Sequence, residues 1–184
     1  MPPASSVPET VLAGPPNLTR ELARAAVTAS TPRKLDACRE LGADILIDYT
    51  TDDFVTHLKD ATDGHGADVI LDHIGGDYLE RDLEALAPHG RIVFIGTQGG
   101  APRGTLDIRM LMAKWGFVHA STLRARTPDE KAEIIAQVRE HVWPLVSDGR
   151  VRPVIHDTLP LVEAGRAHEI MEGSGHIGKL ILTP

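Results

Sequence analysis

Short apolar runs alternate with capped helical stretches along most of this chain, from Leu22 to the carboxyl terminus. The first clear helix opens on Thr31-Pro32, a start signal with proline at the first helical position, and closes on Gly42. Strands that alternate with helices in this way pair in parallel. The order predicts an α/β fold, a doubly wound parallel sheet of the Rossmann-like type with an incomplete first βα unit.

The predicted strands are short and mostly bounded by turn residues. They cover residues 25–30, 44–48, 68–72, 91–95, 117–122, 154–158 and 179–182. The central run Val69-Ile70-Leu71 is apolar at successive positions, which is typical of a strand covered on both faces.

Helices are expected between these strands, and their inner faces follow from the apolar spacing. Leu35, Cys38 and Leu41 should share the buried face of the first helix. Leu79, Leu83 and Leu86 should share the buried face of a later helix. A long helix should begin at the capping box Thr127-Pro128-Asp129-Glu130 and bend before Pro144. Its apolar face is formed by Ile134, Ile135, Val138, Val142 and Leu145.

The chain divides into three regions by composition. Residues 1–24 combine a proline-rich arm with a degenerate first βα unit, and residues 1–17 alone hold five prolines. The run Thr10-Val11-Leu12 is the strand candidate there. Residues 25–150 should form the Rossmann-like domain. Residues 151–184 make a carboxyl-terminal segment.

Charge and hydropathy exclude several classes of protein. A net charge of −7 argues against a broad nucleic-acid surface, because such surfaces depend on clustered lysine and arginine. No apolar run reaches the about eighteen residues of a membrane span, and no cleavable leader is evident. We therefore expect a cytoplasmic protein with no membrane and no nucleic-acid partner.

Metal and nucleophile motifs are missing from the sequence. The single cysteine, Cys38, cannot form an internal disulfide or build a structural zinc site by itself. The nine histidines show no HxxxH spacing, and no GxSxG motif occurs. We predict no metal site and assign no catalytic acid, base or nucleophile.

Two glycine turns directly follow predicted strands. Ile74-Gly75-Gly76 follows one strand, and Gly96-Thr97 opens the turn after the next. Ligands of doubly wound sheets collect outside the carboxyl ends of the strands, and glycine lets a backbone approach a ring or a ribose closely. Glycines also make ordinary tight turns, and both interpretations remain open at this point.

The segment after the first clear strand favours NADPH over NADH. An NAD enzyme carries an acidic residue there to hold the ribose hydroxyls, whereas this chain offers Thr31, Arg33 and Lys34 at a helix N-terminus. A hydroxyl, two cations and the helix dipole together suit a 2′-phosphate. The alternative is a solvated first helical turn without a ligand.

From Thr28 to Pro184 the chain resembles the zinc-free quinone oxidoreductases of the medium-chain dehydrogenase/reductase family. The segments that carry the resemblance are TASTPRKLDACRELGAD, IDYTTDDF, GADVILDHIGGDYLERDLEALAPHGRIVFIG and AHEIMEGSGHIGKLIL, in family order and spacing. The resemblance implies a nucleotide-binding part that uses NADPH. The implied cofactor contacts are Thr31 and Lys34 at the 2′-phosphate, Tyr49 at the adenosine end, Ile74 and Gly75 along the ribose and nicotinamide, and Gly96 and Thr97 beside them.

The chain also departs from that family. The family's glycine-rich pyrophosphate turn precedes the first clear strand, but residues 12–24 hold one glycine and two prolines, which lack the amide donors of a phosphate cradle. We expect the family's amino-terminal catalytic domain to be absent, and the resemblance implies that in intact members the segment 151–184 returns to that domain.

The expected activity is hydride transfer from NADPH to a quinone or another electron-poor carbonyl acceptor, impaired in this chain. One alternative is a non-catalytic nucleotide-binding or dimerisation module, and another is a truncated gene product without stable function. The resemblance also implies a homodimer that pairs the edge strand 117–122 with its twin.

Overall fold

A computed structural model describes residues 24–184. The strand candidate at residues 10–12 and nearly all of the degenerate first βα unit fall outside the described residues. The described chain forms two compact units, the first ending at Ser121 and the second running from Thr122 to Pro184. The boundary that the sequence predicts after residue 150 falls inside the second unit.

The first unit alternates strands and helices in the predicted order. Its strands are β1 (Ala26–Ala29), β2 (Ile45–Asp48), β3 (Ala67–Asp72), β4 (Leu86–Phe94) and β5 (Phe117–Ala120). Its helices are α1 (Pro32–Glu40), α2 (Phe54–Ala61), α3 (Leu79–Ala85) and α4 (Ile108–Ala113).

The strand pairings of the first unit are all parallel. β1 pairs with β2, so that Ala29 lies opposite Asp48. β4 lies between β3 and β5, and Ile92 faces Ile70 on one side and Val118 on the other. Among the described residues β5 is therefore an edge strand, as predicted. Parallel strands linked by helices confirm the α/β, Rossmann-like fold.

The core of the first unit joins the strands to α2 and α3. Ile47, Ile70, Leu83 and Ile92 come from four different elements and are almost fully buried. Leu58 of α2 packs in the same cluster. Each such side chain contributes about 1.5–3 kcal/mol through burial, so this cluster is the main source of cohesion in the unit.

Side-chain caps set the helix starts. Thr31 precedes α1 and its hydroxyl accepts a hydrogen bond from the Lys34 amide at 3.3 Å. Asp53 caps α2 by accepting from the Thr56 amide at 3.1 Å. Asp107 caps α4 in the same way. Such caps satisfy amide donors that have no partner inside the helix, which is why the Thr31-Pro32 signal predicts the start of α1.

Two details of the predicted helical faces are wrong. Leu41 is 56% exposed, because α1 ends at Glu40 and Gly42 then turns the chain with φ of 99°. Leu86 belongs to β4 rather than to α3, since it pairs with Ala67 of β3. In both cases the apolar spacing continued past the point where the helix stops.

The second unit contains three helices and two strands. They are α5 (Pro128–His141), α6 (Trp143–Ser147), β6 (Ile155–Pro160), α7 (Ala164–Glu172) and β7 (Lys179–Thr183), with a short 3-10 turn at Leu161–Glu163. β6 and β7 pair in parallel. Thr127 and Glu130 form the predicted capping box, and the break between α5 and α6 lies next to Pro144, as expected.

The apolar face predicted for α5 and α6 is not buried in this unit. Ile135, Val138, Val142 and Trp143 are exposed. Ile134 and Leu145 of the predicted face are half-buried, so among the described residues no member of that face is fully buried. Within residues 24–184, no helix has the length and hydropathy to cross a membrane.

Candidate functional site

The segments that follow β3 and β4 are joined by backbone hydrogen bonds, three of them donated from the segment after β4. The Ile95 amide donates to the Asp72 carbonyl at 2.8 Å, which continues the strand pairing past its end. The Gln98 amide donates to His73 at 2.8 Å, and the Gly99 amide donates to Ile74 at 3.0 Å. Four of the predicted site residues are thereby brought together: Ile74, Gly75, Gly96 and Thr97.

Gly75 is fixed by its backbone conformation and by its neighbours. Its φ of +98° lies in the left-handed region, and an added Cβ would lie 3.2 Å from both Cα and Cγ2 of Thr97. Its amide donates to Oδ1 of the buried Asp72 at 2.7 Å. The turn after β3 therefore requires a glycine at this position and is anchored from below by a carboxyl group.

The loop after β4 folds back onto the same turn. The Gly76 amide donates to the Ala101 carbonyl at 2.9 Å. A Cβ on Gly76 would lie 2.1 Å from the Arg103 carbonyl oxygen, so no side chain fits there. Gly96 approaches the His73 carbonyl, which its missing Cβ would meet at 3.2 Å. Thr97 itself is exposed.

The residues predicted for the adenosine end lie at the carboxyl ends of β1 and β2. Thr31 is the N-cap of α1, and Arg33 is exposed in the first turn of that helix. The Tyr49 amide donates to the Ala29 carbonyl at 3.2 Å, which ties the end of β2 to the end of β1. Lys34 differs from the expectation of an accessible cation, because it is only 7% exposed.

Tyr78 links these two groups of residues. Its amide donates to the Gly75 carbonyl at 3.0 Å, and its ring stacks on Phe54 with centroids 5.5 Å apart. Burial raises the pKa of the Tyr78 phenol above its ordinary value, and the Arg81 guanidinium partly offsets that rise. Tyr49 adds to the rise, so the two tyrosines lie within electrostatic reach of each other.

A pair of buried carboxyl groups lies under the Gly75 turn. Asp72 at the end of β3 is 0% exposed, and Asp82 of α3 is 1% exposed. Burial, the charge of Asp72 and a hydrogen bond with it raise the pKa of Asp82 to about 9. Asp82 also lines a small cavity of about 20 Å³ together with Thr28 of β1 and Ile70 of β3.

Sequence analysis missed this carboxyl pair, although a signal was present. Asp82 is three residues after Leu79 and directly precedes Leu83, which places it beside the apolar stripe of α3. Asp72 ends a strand that was expected to be covered on both faces. Each residue could have been assigned to the interior, but their contact depends on how α3 packs on β3.

Comparisons with known proteins agree with this architecture. The sequence profile of the family described as "Zinc-binding dehydrogenase" matches residues 41–182. A solved NAD-dependent alcohol dehydrogenase is similar over 85% of this chain and 43% of its own, with 30% identity and a TM-score of 0.69. No curated protein matches the sequence.

Two further solved structures resemble the chain. The Escherichia coli quinone oxidoreductase complexed with NADPH has 27% identity and a TM-score of 0.71, over 85% of this chain and 48% of its own. A 2-haloacrylate reductase has 29% identity and a TM-score of 0.72 over the same shares. The chain thus spans less than half the length of the solved structures described here.

Proposed function

This chain belongs to the zinc-binding dehydrogenase family, and we propose that its first unit binds NADPH for hydride transfer of the quinone oxidoreductase type. The observation that carries the proposal is the joined pair of turns after β3 and β4, in which Gly99 bonds to Ile74. Doubly wound sheets bind dinucleotides at this end of their strands. At this end the described chain has glycines at positions 75 and 76, where an added side chain would be strained or would clash.

The choice of NADPH over NADH is supported by the first turn of α1. Thr31 and Arg33 are exposed there, and among residues 24–184 the Arg33 guanidinium has no ion-pair partner. An unpaired guanidinium beside a helix N-terminus suits a dianionic 2′-phosphate. The similar structures include an NAD-dependent enzyme and a complex with NADPH, so the proposed preference for NADPH rests on Thr31 and Arg33 rather than on these similarities.

The role of the chain's own residues is to bind and orient the cofactor. When bound, NADPH supplies the hydride. Ile74 offers an apolar surface, and Gly75 allows a flat ring to approach the backbone. Tyr49 offers a partly buried aromatic surface at the adenosine end, and Lys34 would contribute mainly through its long-range charge, since it is buried.

Zinc does not fit the described residues, although the family name refers to it. Among residues 24–184, no three His, Cys, Asp or Glu side chains converge on one point. Cys38 is buried in α1. Zinc sites need three or four ligands at fixed geometry. The proposed reaction therefore relies on the cofactor and its orientation and not on a metal ion.

The proposed acceptor is a small quinone or another electron-poor carbonyl compound, and turnover by this chain alone is expected to be slow. Thr97 and Gln98 are exposed, so the described residues leave the nicotinamide side of the turn open to water. Hydride transfer benefits from an enclosed, oriented acceptor. Nucleotide binding without turnover is the second candidate, and the same exposure favours it.

Steady-state oxidation of NADPH with a simple quinone distinguishes these outcomes when it is combined with binding. Saturable NADPH binding with slow quinone-dependent oxidation supports the proposal, and binding without any oxidation supports the nucleotide-binding module. Rapid oxidation that scales with the purified chain would show that the expected impairment is wrong. Aggregation without binding would instead indicate a product with no stable function.

A further inference from the structure

The buried pair Asp72 and Asp82 has no described role in binding, yet it lies directly under the candidate site. Asp72 is the last residue of β3, and the Asp82 side chain of α3 shares a hydrogen bond with it. Burying a carboxylate is strongly unfavourable unless a cation or several donors compensate for the lost water. Two such groups in contact therefore require an explanation.

The hydrogen bonds of the pair are incomplete if both groups are ionised. Oδ1 of Asp72 accepts from the Gly75 amide at 2.7 Å. Oδ2 of Asp72 and Oδ2 of Asp82 are buried without any donor. One proton shared by the pair removes this deficit, because a protonated carboxyl donates and the neighbouring carboxylate accepts. The geometry fits a singly protonated pair.

Among residues 24–184, the cation that acts on Asp82 is Arg81, and it does not replace that proton. The cavity next to Asp82 is lined from β1, β2 and α2 by uncharged residues, namely Ala26, Thr28, Ile47, Phe54 and Leu58. Arg81 directly precedes Asp82 in α3, but its guanidinium bonds to Asp53 at 2.8 Å and lies 4.2 Å above the Phe54 ring. Tyr78, which carries no positive charge, is a titratable neighbour of both carboxyl groups, and His73 follows Asp72 in the chain.

We propose that Asp82 is a positioning residue for the dinucleotide: its proton, shared with Asp72, holds the Asp72 carboxyl in the orientation that fixes the Gly75 turn. This inference rests on the proposed function, since it assigns a role within the same site. The chain of contacts runs from Asp82 to Asp72 and from there to the Gly75 amide. Gly75 has a left-handed φ of +98°, and the Asp72 carboxyl is the acceptor for its amide.

The proposal predicts a direction for the pH dependence of binding. Loss of the shared proton at alkaline pH places a second negative charge in the pocket, and the repulsion turns Asp72 away from the Gly75 amide. Cofactor affinity should therefore be constant near neutral pH and fall as the pH approaches and passes the raised pKa of Asp82. An asparagine at position 82 keeps an N–H donor for Asp72 and does not titrate.

The test is calorimetric titration of the full chain with NADPH between about pH 6.5 and about pH 9.5, together with the Gly75 amide resonance recorded without cofactor. The parent should lose at least about fivefold in affinity over this range, whereas Asp82→Asn should change by less than about twofold. Glu80→Gln, which changes an exposed carboxylate of the same helix, is the matched control and should follow the parent.

The outcomes separate this inference from the proposed function. An alkaline shift of the Gly75 amide in the parent that is absent from Asp82→Asn supports the positioning role even if no dinucleotide binds, in which case the proposed function alone fails. If NADPH binds and Asp82→Asn retains the parent's pH profile, or if the parent's profile is flat, the positioning role is overturned.

Discussion

The Gly99 amide donates a hydrogen bond to the Ile74 carbonyl oxygen at 3.0 Å, and this bond joins the loops of two different βα units. A ligand that contacts one turn therefore meets the other at a fixed spacing. Because both loops follow parallel strands, their positions are set by the register of β3 against β4.

Replacement of Gly76 by alanine should disturb this site. The new Cβ would lie 2.1 Å from the Arg103 carbonyl oxygen, so the backbone of the loop after β4 must move. We expect a loss of about 1–3 kcal/mol in the free energy of unfolding and weaker dinucleotide binding. Gly165→Ala in α7 is the control, because its Cβ meets nothing within 4 Å and should be neutral or stabilising. Equal stability of the two variants would contradict the packing described here.

Replacement of Arg33 by alanine tests the assignment of the 2′-phosphate. A charge-assisted hydrogen bond is worth about 1.5–3 kcal/mol, so Arg33→Ala should lower NADPH affinity about tenfold or more and leave NADH affinity nearly unchanged. Arg39→Ala is the matched control, since Arg39 lies at the other end of α1 and pairs with Asp36. Equal losses for both cofactors would refute the assignment. Lys34→Ala, by comparison, should have the smaller effect because Lys34 is buried.

A proline at position 118 tests the predicted homodimer through β5. The Ser121 amide donates to Phe94 of β4, so by strand alternation the His119 amide also faces β4 and the Val118 amide faces outward. Val118→Pro should therefore remove one outward donor and yield a monomer without unfolding the unit. His119→Pro removes an inner donor and should destabilise the fold instead. Light scattering that shows Val118→Pro to be as large as the parent, or the parent to be a monomer, would count against this dimer.

The raised pKa of Asp82 makes stability depend on pH with a definite sign. Its folded pKa of about 9 lies above its ordinary value of 3.8, so the folded state binds more protons between these values and the unfolding free energy falls as pH rises. Asp82→Asn should flatten this decline in urea unfolding series. The effect of Asp53 on stability has the opposite sign. Hydrogen bonds from Thr56 and Arg81 lower its pKa to about 2, so its contribution to the unfolding free energy is lost as the pH falls toward that value. If Asp53→Asn rather than Asp82→Asn changes the decline in unfolding free energy as the pH rises toward 9, the buried pair does not control that decline.

Local signals in the sequence predict much of the fold. Thr31, Asp107 and Thr127 mark helix starts because a cap is a short-range interaction between neighbouring residues. The alternation of strands and helices can also be read along the chain, and it predicts a parallel α/β sheet. The edge position of β5 also follows from its place as the last strand of the series.

Features that depend on packing between distant segments could not be predicted in this way. The burial of Lys34 and the contact of Asp72 with Asp82 arise from how helices pack on the sheet, and a single sequence does not contain that information directly. The helix ends at Leu41 and Leu86 were misjudged because apolar spacing continued beyond them. The grouping of Ile74 with Thr97 was expected from the strand order, but the bonds that join their turns appear only in the structure.

Calorimetric titration of the purified full chain with NADPH, and in parallel with NADH, tests the central claim most directly. The proposed site predicts saturable binding at a single site, with NADPH bound about tenfold or more tightly than NADH because of the charge at the first turn of α1. No binding of either cofactor, or NADH bound as tightly as NADPH, would contradict it.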